Sequence, residues 1–141
     1  MKRNATAIWQ GGLKDGKGSL TTASTTLSNA QYSFSTRFEN GVGTNPEELL
    51  AAAHAGCFAM ALSAQLGAAG MTAESIHAVA TVSLEKVEGG FAITESHLDV
   101  KVKMPGADKA AFDTAANAAK AGCPVSKLFN AKITMDATLE T

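Results

Sequence analysis

An α+β fold is predicted by three features of the sequence. Strand-like segments fill the first forty residues, one long apolar segment of helical composition follows, and an alternating hairpin pattern comes after it. A second helix, a short third helix and a final alternating strand complete the order. Strands and helices fall in separate runs rather than in strict alternation, which argues against a doubly wound parallel sheet.

In chain order, ATAIWQ reads as a strand and GGLKDGKG as a turn cluster. SLTTAST and QYSFSTRF are rich in Thr, Tyr and Phe and read as further strands, closed by the breakers of GVGTNP. Helix start signals follow at once. Asn45 is placed to cap, Pro46 suits the first helical position, and Glu48 stands three residues after the cap in capping-box spacing. The helix is expected from Pro46 to about Ala69, with Gly70 as its stop. Its polar residues share no face: His54 and Ser63 lie nine positions apart, half a rotation at 100° per residue. A helix apolar on all sides is expected to be buried on all sides, which in a chain of 141 residues points to a second subunit.

SIHAVATVSLEKV and FAITESHLDVKVKM, separated by EGG, predict a β-hairpin. Ala80, Val82 and Leu84 fall on one face, and Leu98, Val100 and Val102 on one face of the return strand. A helix is expected from Asp108 to Ala121 with Phe112 on its inner side. Pro124 opens a short helix over VSKLFN with Cys123 at the N-cap. In KITMDATLE, residues Ile133, Met135, Ala137 and Leu139 alternate with polar ones as in a half-buried strand.

Composition bounds the function. The chain is 45% hydrophobic and 18% charged with a net charge of -1, which fits one globular domain over residues 1–141. There is no basic field to attract nucleic acid or an anionic membrane. Residues 51–70 have the length of a membrane span, but they are mostly Ala and Gly with His54, Ser63 and Gln65 inside, and Ala contributes little transfer energy. MKRNATAIWQ has no apolar run of signal-peptide length. The expected compartment is therefore the cytoplasm. Two cysteines, Cys57 and Cys123, are too few for a disulfide-stapled scaffold.

Three kinds of chemistry are conceivable. Gly11 to Gly18 reads G-x4-G-K-G, close to a phosphate loop, but Gly18 replaces the Ser or Thr, and a strand follows instead of a helix. A hairpin loop is the expected reading. His54, Cys57 and Cys123 offer three metal ligands without a fourth, and a packed or hydrogen-bonded core histidine is the expected reading of His54. Thiol chemistry needs a lowered pKa, from a helix N-terminus or a cation. Cys123 has the helix N-terminus. Cys57 lies in mid-helix, where it needs an external cation or is simply a small buried hydrophobe. Local physics alone selects Cys123. His77 and His97 fall in strand-like segments and receive no role.

TNPEELLAAAHAGCFAMALS (44–63) and AGCPVSKLF (121–129) resemble the two cysteine signatures of the OsmC/Ohr family of thiol peroxidases, and the spacing between the cysteines agrees. TRFENGVGTNPEELL, the KDGKGS turn, VEGGFAIT and ITMDATLE are similar to the OsmC branch, the osmotically inducible bacterial proteins. The resemblance implies an intertwined homodimer in which long central helices pack against antiparallel sheets, with active sites at the subunit interface. It implies reduction of organic hydroperoxides, and less well hydrogen peroxide, without metal, haem or flavin. Cys57 takes the peroxidatic position and Cys123 the resolving one. Arg37 takes the position of the activating arginine and Glu47 that of the acid holding it. An external dithiol, in the Ohr branch dihydrolipoamide of lipoylated proteins, closes the cycle. The apolar tail of a substrate is expected against Phe58, Met60, Phe38 or Phe129. On a straight helix Glu47 and Cys57 are about 15 Å apart and roughly 80° around the axis. A break near His54–Gly56 is therefore expected.

Overall fold

The computed structural model describes residues Met1–Thr141. Two compact units are formed, Met1–Leu49 and Leu50–Thr141.

In the first unit, β1 (Ala5–Gln10), β2 (Lys17–Thr22) and β3 (Ala30–Tyr32) form an antiparallel sheet in that order. The glycine-rich stretch between β1 and β2 is a hairpin turn, as the sequence indicated. Gly18 sits in β2, opposite Trp9 and Tyr32. A Cβ there would run into both rings, so the glycine serves aromatic packing rather than phosphate binding. The expected strand over QYSFSTRF holds only to Tyr32. Phe34–Phe38 forms a short helix, α1. Its cause is local: the Ser33 hydroxyl accepts from the Thr36 N–H, and the Thr36 hydroxyl accepts from the Ser33 N–H, a reciprocal capping box.

Helix α2 (Pro46–Ala68) begins in this unit and continues through the second. The Asn45 side-chain oxygen accepts from the Glu48 N–H at 2.8 Å, as an N-cap should. The capping box expected of Glu48 does not close, because its carboxylate accepts instead from the Thr44 hydroxyl. The helix is uninterrupted, which overturns the break expected near His54–Gly56. Its interior holds no proline, and one glycine in a helix costs only about 0.5–1 kcal/mol. Gly70, with φ +75°, lies just beyond the end.

The second unit is built on the hairpin of β4 (Ser75–Val87) and β5 (Gly90–Lys103), turned at Glu88–Gly89 with Gly89 at φ +89°. Its register places Ala80 opposite Leu98, and Val82 opposite Ser96, on one face. Helix α3 (Lys109–Gly122) follows, capped by the Asp108 carboxylate on the Ala111 N–H. Next come α4 (Pro124–Leu128) and β6 (Lys132–Glu140). Strand β6 pairs parallel to β5, so this sheet is mixed rather than antiparallel as the sequence reading had it. The helical crossover from β5 through α3 and α4 brings the chain back to start β6 in the same direction.

Leu98, Val100 and Val102 of β5, Phe112, Ala115, Ala116 and Ala119 of α3, and Phe58, Leu62 and Leu66 of α2 form one core. Each fully buried Phe or Leu contributes roughly 1.5–3 kcal/mol. One stripe of α2 is thus covered, while Ala52, Ala53, Gly56, Met60 and Ala64 stay exposed on the single chain. By length and composition α2 is also apolar enough to cross a bilayer.

Candidate active site

The N-cap of α4 and the fourth turn of α2 bring two thiols together. Pro124 fixes the start of α4 and leaves Cys123 at its N-cap, where backbone N–H groups are unpaired. Cys57 is four residues before Ala61 and one before Phe58, both in or against the core, so its side chain is half-buried. The sulfurs are 2.8 Å apart, and both cysteines are free thiols. Cys123 is fully buried.

The two thiols are not equally acidic. Burial pushes the Cys57 thiol up, and its hydrogen bond to Cys123 and the negative charge there push the same way; the Val125 N–H opposes them and loses. Burial alone would also raise Cys123. The hydrogen bond with Cys57, the N–H groups of Ser126 and Val125 and the Ser126 hydroxyl outweigh it and hold Cys123 below the ordinary thiol range. Cys123 is therefore the more acidic of the two thiols, in line with the local argument from sequence. No cation is among the groups acting on Cys57.

His54 stands one turn before Phe58 on the buried stripe of α2 and is 0% exposed. Its Nδ1 lies 2.6 Å from the Ser96 hydroxyl and its Nε2 2.7 Å from the Ser126 hydroxyl. Burial holds the imidazole below its ordinary pKa, hence neutral. One proton arrangement satisfies every partner: Ser96 donates to Nδ1, Nε2–H donates to Ser126, and the Ser126 hydroxyl donates to the Cys123 sulfur. With both nitrogens engaged, His54 has no lone pair for a metal. This bears out the core-histidine reading. Ser96 and Ser126 were not singled out from sequence, because a buried serine has no signal until its partner is known.

In the first unit, Arg37 and Glu47 form a two-pronged ion pair. Arg37 Nη2 donates to Glu47 Oε1 at 2.7 Å, and Nε to both carboxylate oxygens at 3.2 Å. Glu47 is buried and Arg37 remains 39% exposed. The pairing follows from two short-range devices. The Ser33–Thr36 box starts α1 and so places Arg37, and Asn45, while capping α2, donates its amide to the Thr36 carbonyl at 2.9 Å. Beside Arg37 lies a cavity of about 280 Å³ lined by Trp9, Leu13, Tyr32, Phe34, Phe38 and Pro46. Of the four expected apolar wall residues only Phe38 lines it. Phe58 is core, Met60 is 77% exposed, and Phe129 packs edge-on against His54. Trp9, Tyr32 and Phe34 were missed; their only sequence signal was aromatic content.

Two free thiols held face to face, one reachable and one buried, form a centre able to close into a disulfide. Residues 38–138 match the family model described as OsmC-like protein, a span that includes Glu47 and both cysteines. The chain is 53% identical over 135 residues to Peroxiredoxin OsmC of Escherichia coli, covering 96% of this chain and 94% of that one. It is 32% identical over 100 residues to the organic hydroperoxide resistance protein of Xanthomonas axonopodis pv. citri, covering 70% and 68% of the two chains. Among solved structures, the organic hydroperoxide resistance protein OhrB of Bacillus subtilis superposes with a TM-score of 0.68 at 26% identity, covering 97% of this chain and 98% of that one. The chain belongs to the OsmC-like family, within its OsmC branch.

Proposed function

We propose that this chain is a thiol peroxidase that reduces organic hydroperoxides to alcohols. The observation that carries the reading is the 2.8 Å approach of a half-buried Cys57 sulfur to a fully buried Cys123 sulfur. A peroxide reaches only the first, and the second is already placed to resolve the product. The Cys57 thiolate attacks the O–O bond of ROOH and takes the terminal hydroxyl as Cys57–SOH, and the departing alkoxide is protonated to ROH. The Cys123 thiol condenses with the sulfenic acid, forming the disulfide and releasing water. A dithiol reduces the disulfide by exchange and is itself oxidised. Dihydrolipoamide is the proposed reductant and the cytoplasm the proposed setting.

Arg37, steadied by Glu47, is proposed as the cation that favours the Cys57 thiolate and orients the peroxide. On its own helix Glu47 is about 15 Å of rise from Cys57. The reading is therefore a homodimer in which the Arg37–Glu47 pair of one chain serves Cys57 of the other. The exposed small-residue face of α2 and the exposed strand β1 support such an assembly. The aromatic cavity beside Arg37 suits an organic tail.

The test is intact mass of reduced protein after one equivalent of cumene hydroperoxide. Loss of two hydrogens in the wild type, gain of oxygen in Cys123→Ser and no change in Cys57→Ser are expected. Gain of oxygen in Cys57→Ser instead would reverse the two roles. Steady turnover with dihydrolipoamide separates a peroxidase from a sensor that oxidises once and stops.

A further inference from the structure

The outward face of the mixed sheet carries a cluster that the peroxidase reading does not use. Asp99 of β5 and Asp136 of β6 are direct register partners, so two carboxylates stand side by side on one face. Like charges so placed repel, and no lysine or arginine pairs with either. His97, two residues before Asp99, turns its Nε2 toward both, at 3.5 Å from Asp99 Oδ1 and 3.3 Å from Asp136 Oδ2. These separations exceed an N–H···O hydrogen bond. They match the edge of a tetrahedron with bonds of about 2.0–2.1 Å, which is roughly 3.3–3.4 Å.

The other ring nitrogen fixes the tautomer. The Thr134 hydroxyl donates its only proton to Glu95 Oε2 at 3.0 Å and lies 2.5 Å from His97 Nδ1. It must therefore accept from Nδ1–H, which leaves Nε2 to face the carboxylates. Nε2 and the two carboxylates thus converge on one point of the outer face. The Glu95–Thr134–His97 relay is the arrangement that orients metal-bound histidines.

We propose that His97 Nε2, Asp99 and Asp136 form a binding site for a zinc-class divalent cation on the outer face of this sheet, with Thr134 and Glu95 as its supporting shell. All three ligand atoms lie within 4.8 Å of one another. One nitrogen and two oxygens are a donor set for Zn²⁺ or Co²⁺, with the open side left to water.

The test is equilibrium binding of Zn²⁺ to chelator-stripped protein, with Co²⁺ absorption as the spectroscopic readout. It is run on the wild type, the Cys57→Ser/Cys123→Ser double variant, Asp99→Asn/Asp136→Asn and Thr134→Val. One ion per chain is expected in the wild type and the double-cysteine variant, without a thiolate-to-cobalt band. Asp99→Asn/Asp136→Asn should lose it. Thr134→Val, which keeps every ligand, should weaken it about 10- to 100-fold. Three results would each overturn the site: no binding to wild type, binding that disappears with the cysteines, or full affinity in the carboxamide variant with its circular dichroism unchanged.

Discussion

Replacing His54 by Leu tests the buried polar chain behind the thiols. The imidazole is 0% exposed and bonds two hydroxyls, Ser96 at 0% and Ser126 at 8%. Leucine has nearly the same volume, so the cavity contribution is small. The cost is then that of leaving two buried hydroxyls without their partner. At about 1–3 kcal/mol each, the loss is roughly 2–6 kcal/mol. Against a typical total of about 5–15 kcal/mol, that is a large fraction. The triple variant His54→Leu/Ser96→Ala/Ser126→Ala removes the orphaned groups as well and should recover most of the loss, since matched apolar replacement is close to neutral. Urea unfolding at one fixed protein concentration measures both, the fixed concentration being needed if the chain dimerises. A single variant that loses less than about 1 kcal/mol, or a triple variant as unstable as the single one, would refute the argument. The first result would mean that the serines find other partners, and the second that the imidazole acts by packing alone.

Three more outcomes are expected. His54 is held below 6.5 in the folded chain, so the unfolded chain binds the extra proton as pH falls through that value. Its contribution to stability is complete above 6.5 and declines below it by up to about 1.4 kcal/mol per pH unit until the folded pKa is reached; His54→Leu should flatten that slope in urea titrations at stepped pH. Arg37→Met should slow single-turnover oxidation: losing 1–3 units of thiolate stabilisation, offset by a Brønsted coefficient of 0.4–0.5, gives about 3- to 60-fold. An unchanged stopped-flow rate would remove Arg37 from the first step. Phe34→Ala should raise KM for cumene hydroperoxide about tenfold, the value of about 1.5 kcal/mol of apolar contact, and leave that for hydrogen peroxide alone; equal changes for both would place the tail elsewhere.

Much of the fold was legible because its causes are local. The Asn45–Pro46 start and Gly70 stop of α2, the Asp108 cap, Pro124 and the hairpin alternation are each set within a few residues. The helix α1 was equally legible in principle, through Ser33-x-x-Thr36, but the aromatic content of the segment drew the reading toward strand. The expected break in α2 came from a different source, the demand that Arg37 meet Cys57 within one chain. Nothing in the backbone chemistry required it.

By itself the sequence determined the helix ends, the hairpin and the two cysteine motifs, since capping, turn formation and alternation act between near neighbours. Only the tertiary structure decided the rest. Parallel pairing of β6 depends on where α3 and α4 return the chain. The seating of His54 between Ser96 and Ser126 joins residues 42 and 72 positions apart. The 2.8 Å approach of two sulfurs spans 66 positions. The cluster of His97, Asp99 and Asp136 exists because strand register sets two carboxylates side by side. Burial and proton sharing are properties of such assembled neighbourhoods, and they decide which thiol is the more acidic.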